Sequence, residues 1–322
     1  MIEEICTGLH RVEIPLPKNP LKSLNSYVIG AQDRNLIIDT GMNRDECLTA
    51  MRSGLDQLGL DLARTDFFIT HLHADHIGLV SELATDSSKV YFNQPDADVI
   101  SAGGFWEYML AFARANGFPE DEIEQAILRH PGYKYSPKTL PDFTIVREGD
   151  IIAVGDYTFE CVETPGHTRG HMCLYEREKK ILVSGDHILG DITPNISQWD
   201  NEDNTLEQYL ASLDKTYELD VDLVLPGHRS AFTDCKRRIR ELKHHHDVRA
   251  NEVLCILQDS MKTAYQVASQ MTWDIDCDSW ELFPVMQKWF ATGEALAHLK
   301  YLERRGLVRG EPQEGAVLFA LA

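Results

Sequence analysis

At 322 residues the chain exceeds one ordinary core, and its 43% hydrophobic and 25% charged residues are those of a folded globular protein, not a disordered or fibrous one. The formal charge of −20 weighs against nucleic acid as a partner, because that affinity comes from Lys and Arg neutralising phosphates. No apolar run reaches the roughly 18 residues that span a bilayer, and the N-terminus MIEEICTGLH has acids where a secretory signal carries basic and apolar regions, so a cytoplasmic location is expected.

In chain order, residues 9–16, 26–29 and 35–38 read as short strands separated by turn residues, with Asp39-Thr40-Gly41 closing the third. A helix follows over 44–58, where Cys47, Leu48, Met51, Leu55 and Leu58 recur every three or four residues. Residues 67–70 form a short buried strand that runs into His71. A helix over 78–84 and a strand over 89–92 come next. The segment 95–130 is helical and rich in large apolar groups. Strands resume at 144–146, 151–154, 157–162, 172–175 and 180–183, punctuated by Gly149, Gly155 and Gly166. Helices are expected over 206–217 and 235–257, with a strand at 223–225 between them. Further helices are expected at 263–271, 282–290 and 293–305. They lead into a two-stranded turn over 306–321, which together suggest a winged-helix module. The pattern is α/β, divided into a catalytic domain over 1–235, with a helical insert at about 95–135, and a helical C-terminal domain over 236–322.

The seven cysteines are odd in number, scattered and without a CxxC pair, which argues against a disulfide framework or a thiolate zinc knuckle. The informative segment is Thr70-His71-Leu72-His73-Ala74-Asp75-His76. At this composition HxHxDH arises by chance in about two chains per thousand. A strand that ends and turns presents His71 and His73 on one side, and the following turn swings Asp75 and His76 towards an adjacent point. One metal would take the first pair of donors and a second metal the other. Three further candidates sit beside glycine at strand ends: His167 in Thr-Pro-Gly-His, Asp186 in Ser-Gly-Asp-His, and His228 in Leu-Pro-Gly-His. Histidine and aspartate without cysteine suit zinc, and manganese or iron(II) accept the same donors.

These residues closely resemble the metallo-β-lactamase superfamily, in order over roughly residues 8–235. The resemblance implies an αββα sandwich with two Zn2+ at one edge. His71, His73 and His167 would hold one ion, Asp75, His76 and His228 the other, and Asp186 would bridge them. Asp39 matches the structural aspartate that braces the metal loop. The expected activity is hydrolysis, with Asp75 also a candidate to carry a proton. A thioester, ester or lactone of a small molecule is the favoured substrate, as in the glyoxalase-II-like branch. A single-strand-specific endoribonuclease and an iron-dependent sulfur dioxygenase are the alternatives. The C-terminal module resembles the winged helix of several branches, including the endoribonucleases. Its mixed charges suit packing or a homodimer contact better than DNA reading.

Around the metals, Phe105, Trp106, Tyr108, Met109 and Phe112 are candidates for an apolar pocket wall, because the insert falls between the first and second groups of ligands. Arg169 is a candidate for an anionic substrate group, with a surface ion pair as the equal alternative. His187 is expected in a hydrogen bond beside the metals or in the core, and His171 in a structural role. His244, His245 and His246 are expected on a solvated helix face, since successive helical residues point about 100° apart.

Overall fold

The computed structural model describes every residue except Trp199, Glu202 and Glu314. Seven strands form the first sheet in chain order: β1 (Ile2–Cys6), β2 (Leu9–Pro15), β3 (Ser23–Ile29), β4 (Asn35–Ile38), β5 (Thr65–Phe68), β6 (Val90–Asn93) and β7 (Phe143–Val146). The second sheet holds β8 (Ile151–Val154), β9 (Tyr157–Glu163), β10 (Met172–Glu176), β11 (Ile181–Gly185) and β12 (Leu223–Pro226), in the order β12-β11-β10-β9-β8.

The alternation of strand side chains explains why two sheets stack and helices cover both. Tyr27, Ile29, Leu36, Ile38 and Phe68 point inwards and meet Phe159, Cys161, Leu174, Val183 and Leu225 of the second sheet. Their neighbours Val28, Ile37 and Phe67 point outwards, against Cys47, Met51 and Leu55 of helix α1 (Asp45–Leu58). Strands apolar on both faces must be covered on both sides. The second sheet obeys the same rule: Val162, Cys173, Tyr175 and Leu182 pack on Leu206, Tyr209 and Leu213. The result is an αββα sandwich.

The remaining helices are α2 (Ala74–Ile77), α3 (Val80–Leu83), α4 (Gln94–Ser101), α5 (Phe105–Ala115), α6 (Glu120–Arg129), α7 (Pro131–Tyr135), α8 (Thr205–Tyr217), α9 (Cys235–Ile256), α10 (Ala264–Ala268) and α11 (Val285–Arg304). A hairpin of β13 (Val308–Gln313) and β14 (Ala316–Leu321) ends the chain. Among the described residues, no helix is long and apolar enough to cross a membrane.

Three expectations change. The two helices expected at 282–290 and 293–305 are one, α11, because no proline lies between Val285 and Arg304. Gly293 would cost about 1 kcal/mol in an exposed helix, but here it is buried, and its carbonyl accepts from the Gln198 N–H at 3.0 Å. The helix expected over 78–84 is the shorter α3, and a separate helical turn, α2, precedes it and carries Asp75 and His76. His246 is not solvated. It is buried against Tyr209, and its Nδ1 lies 3.3 Å from Nε2 of buried His298.

The helical insert is fastened to the C-terminal helices. Met109, Phe118, Ile123, Ala126 and Ile127 surround Trp289 of α11, and Lys288 Nζ meets Glu122 Oε1 at 2.5 Å. Phe112 joins Val253, Val267, Leu299 and Phe319 in the core of α9 to β14.

Burial holds His298 neutral, with its pKa down at about 4. An unfolded histidine titrates near 6.5, so the unfolded chain binds the extra proton, and stability present above pH 6.5 is lost as the pH falls. Between pH 6.5 and pH 5 this one group withdraws about 2 kcal/mol. Urea unfolding at the two pH values should show a smaller loss for His298→Gln than for the native chain; equal losses would contradict this account.

Candidate metal centre

Two parallel strand pairs bring the site together. β4 pairs in parallel with β5, so Asp39 and Thr70 emerge side by side. β11 pairs in parallel with β12, with Gly185 opposite Pro226, so Asp186 and His228 also emerge together. The turn between β9 and β10 supplies His167.

Among the described residues, three groups of donor atoms lie within 4.8 Å of one another: His71, His73 and His167; His71, His76 and Asp186; Asp75, His76 and His228. His73 Nδ1 is 3.0 Å from both His71 Nε2 and His167 Nε2. Asp186 stands between the halves: Oδ1 is 3.6 Å from His76 Nε2, and Oδ2 is 3.6 Å from His167 Nε2 and 3.5 Å from His228 Nε2. Asp75 Oδ2 is 3.4 Å from His228 Nε2. The geometry thus brings together all seven donors read from the sequence.

Hydrogen bonds on the outer nitrogens fix which nitrogen faces inwards. Asp39 accepts from Thr70 N at 2.9 Å, Thr70 Oγ1 at 2.8 Å and His76 Nδ1 at 2.7 Å. The Thr70 hydroxyl, its proton given to Asp39, accepts from His71 Nδ1 at 2.9 Å, which leaves His71 Nε2 a bare lone pair. His167 Nδ1 donates to the Asn195 carbonyl at 2.8 Å, and His228 Nδ1 to the Ser23 carbonyl at 2.7 Å. A donor tied on its outer side is the pattern of a metal-binding imidazole.

Electrostatics separates the two halves. Burial, aided by neighbouring rings, holds His71 neutral and pulls His73 down to about 3. Burial also acts to lower His228, but Asp186 and Asp75 outweigh it and raise its pKa to about 10. His76 is likewise raised, by Asp39 and Asp186 against burial. The carboxylates of Asp39, Asp75 and Asp186 that raise these two rings make the half-site negative, and a cation could take the place of the ring protons. His76 Nε2, His228 Nε2 and Asp186 Oδ1 are buried with no hydrogen-bond partner, and a buried polar atom left so costs about 1–3 kcal/mol. A divalent metal would satisfy all three, so the residues fit such an ion. Gly227 leaves the room: a Cβ there would lie 2.6 Å from Asp186 Oδ1 and 2.8 Å from His76 Cε1.

The other expected residues have varied placements. His187 is buried, with Nε2 3.1 Å from Thr216 Oγ1, and His171 Nε2 accepts from Asp186 N at 3.1 Å. Arg169 pairs with Asp200 at 3.0 Å and Asp203 at 2.6 Å. Of the pocket-wall candidates, Met109 and Phe112 are buried in the helical cores described above. Phe105 and Trp106 are half-buried, Trp106 against His130 and Tyr133, and Tyr108 is exposed.

Asp96 was not anticipated. This buried carboxylate accepts from Leu72 N at 2.8 Å, Thr168 Oγ1 at 2.8 Å and Gly170 N at 2.7 Å. It clamps the His71–His73 turn to the His167 turn. In the sequence it is one acid in the first turn of a helix, which ordinary helix-end preference already explains.

The family model of the metallo-beta-lactamase superfamily matches residues 20–228. A lactamase-like protein of Emericella nidulans, aptB, is 25% identical over 74% of this chain, and the chain spans 62% of that protein's length. A beta-lactamase-like protein 2 homolog of Caenorhabditis elegans is 25% identical over 85% of this chain and 81% of its own. An atrochrysone carboxyl ACP thioesterase of Aspergillus fumigatus is 27% identical over 74% of this chain and 61% of its own. Among solved structures, a metallo-beta-lactamase family protein of Thermus thermophilus superposes with a TM-score of 0.84 at 26% identity, covering 99% of this chain and all of its own. A beta-lactamase domain protein of Burkholderia ambifaria gives 0.84 and 26%, covering 100% and 94%. With more than half its length matched by the family model, the chain belongs to the metallo-beta-lactamase superfamily.

Proposed function

We propose that this protein is a dinuclear zinc hydrolase of the cytoplasm that cleaves a thioester, ester or lactone of a small molecule. The observation that carries the reading is the donor cage itself: seven converging histidine and aspartate groups, three of whose buried atoms make no hydrogen bond and face other donors of the cage at 3.4–3.6 Å. Thioester is the favoured class because the thioesterase of Aspergillus fumigatus is similar over much of this chain.

His71, His73 and His167 would hold one cation, Asp75, His76 and His228 the second, with Asp186 shared. Bound there, divalent zinc supplies Lewis acidity, polarising an acyl carbonyl and acidifying water. The chain's own residues do the rest. Asp39, Thr70 and the Ser23 and Asn195 carbonyls keep the imidazoles in one tautomer and one orientation. Asp75 is buried yet ionised: burial acts to raise its pKa, but the His228 ring 3.4 Å away and the His76 ring hold it below the usual carboxylate range. In this reading it would take a proton from the attacking water and return it to the departing thiolate or alkoxide, so that water adds across the acyl bond and an acid and a thiol or alcohol result. Half-buried Phe105 and Trp106 are the proposed wall for an acyl chain. Arg169, already paired to Asp200 and Asp203, is better suited to holding its loop than to meeting substrate.

The zinc-loaded protein should hydrolyse one or more members of a panel of acyl thioesters, esters and lactones, with chelation and His73→Ala each lowering kcat/KM at least about 100-fold. Cleavage of single-stranded RNA alone, or one iron per chain with oxygen consumption, would replace this reading. Asp75→Asn separates the two roles of that carboxylate. Loss of the proton role lowers kcat by roughly 100-fold or more while both zinc ions remain; a fall in zinc content matching the fall in rate would reduce Asp75 to a ligand.

A further inference from the structure

The outer nitrogens of His71, His76 and His228 all lean on the sandwich, through Thr70, Asp39 and the Ser23 carbonyl. His167 differs. Its Nδ1 donates to the carbonyl of Asn195, which lies on the long connection between β11 and α8. No regular element holds that residue; it is held by side chains. Asn195 Oδ1 accepts from Ser197 Oγ at 2.6 Å, and Asn195 Nδ2 donates to Glu294 Oε2 at 3.2 Å.

Glu294 sits on α11, outside the sandwich, and is buried. Its other oxygen faces Arg249 Nε of α9 at 3.5 Å. Arg249 is itself buried, bonded to Glu252 at 2.7 Å and stacked on Trp273 with its guanidinium carbon 4.3 Å from the ring centre. The same connection is tied to the same helix once more, by Gln198 N donating to the Gly293 carbonyl. Between the two ties Ile196 is fully buried in the core under α8 and α9.

We infer that Glu294 and Asn195 are positioning residues through which the C-terminal helices orient His167, so that one metal of the pair depends on a part of the chain outside the sandwich. The inference rests on the proposed dinuclear site. Its physical content is that the Asn195 carbonyl keeps Nδ1 of His167 protonated and the ring turned so that Nε2 faces His73 and Asp186. Glu294 holds that carbonyl in place through the Asn195 amide. A buried carboxylate bonded to an amide, with a guanidinium 3.5 Å from its other oxygen, is screened less by water than a solvated loop contact.

Metal titration of the native full-length chain and its variants, followed by cobalt(II) absorption and by zinc content after dialysis, tests this without reference to substrate. Glu294→Ala and Asn195→Ala should each weaken one of the two equivalents by roughly 10–100-fold and leave the other unchanged. The double variant should be no weaker than either single one, because both cut one tether. Glu294→Gln, which keeps an oxygen for the Asn195 amide, should recover most of the loss. Lys288→Ala serves as the structural control: it disturbs α11 by breaking the bond to Glu122, away from the tether, and should retain two tight equivalents. Two tight equivalents in both Glu294→Ala and Asn195→Ala would overturn the inference alone, as would equal weakening by Lys288→Ala. A native chain that binds fewer than two cations would remove the dinuclear reading and the inference with it.

Discussion

The Asp39 carboxylate is the interaction on which the cage depends. It is 2% exposed and follows β4 with φ at 60°, a left-handed backbone that a side chain other than glycine rarely adopts. From there it accepts three hydrogen bonds, from the Thr70 amide, the Thr70 hydroxyl and the His76 ring. The consequences propagate in one direction. Because Thr70 gives its proton to Asp39, it accepts from His71; because His76 gives Nδ1–H to Asp39, its Nε2 is left pointing at Asp186. One buried charge thereby sets two imidazoles, and its three hydrogen bonds offset a left-handed backbone that costs on the order of 1 kcal/mol.

The legible part of the site was the part where one short stretch of chain carries several donors. HxHxDH works as a local device: His73 ends the strand connection and caps α2, and its carbonyl accepts from the amides of His76 and Ile77. A single helical turn then separates the donors of the two halves. Distant donors were legible for a different reason, since Gly-His and Gly-Asp at strand ends mark places where an α/β scaffold exposes side chains. The strands were found because the sandwich buries them on both faces, so they read as apolar runs between turns. β1, with a burial pattern mostly open to solvent, gave no such run and went unseen.

What escaped were residues whose role exists only in three dimensions. Asp96 accepts from backbone amides of turns more than 20 residues away, and Asn195 acts on the His167 ring through its own carbonyl; a backbone amide or carbonyl leaves no trace in a sequence pattern. His246 escaped for a related reason. Three successive histidines look polar, yet on α9 each faces a different direction, and His246 happens to face Tyr209 and His298 in the interior. Propensity likewise placed a break near Gly293, whereas tertiary contact with Gln198 uses that glycine inside a continuous helix.

The insert and the C-terminal helices, read from the chain as two separate additions, are physically one. Trp289 is enclosed by the insert's Met109, Phe118, Ile123 and Ile127, and the buried Lys288 ammonium is held by Glu122 across the same boundary. Breaking that pair from one side would leave an uncompensated charge in an apolar setting, which costs several kcal/mol, so α6 and α11 separate only with difficulty. At its far end the insert turns through α7 back to the sandwich, where the Tyr135 carbonyl accepts from Asn43 beside the metal loop's own helix. The metal cage is therefore gripped from two sides by a single helical body: through Tyr135 near α2, and through Gln198 and Asn195 near His167. A body joined to the cage at both flanks couples the packing of the insert, α9 and α11 to the positions of both donor turns, so the helices outside the sandwich and the cage inside it are held as one unit.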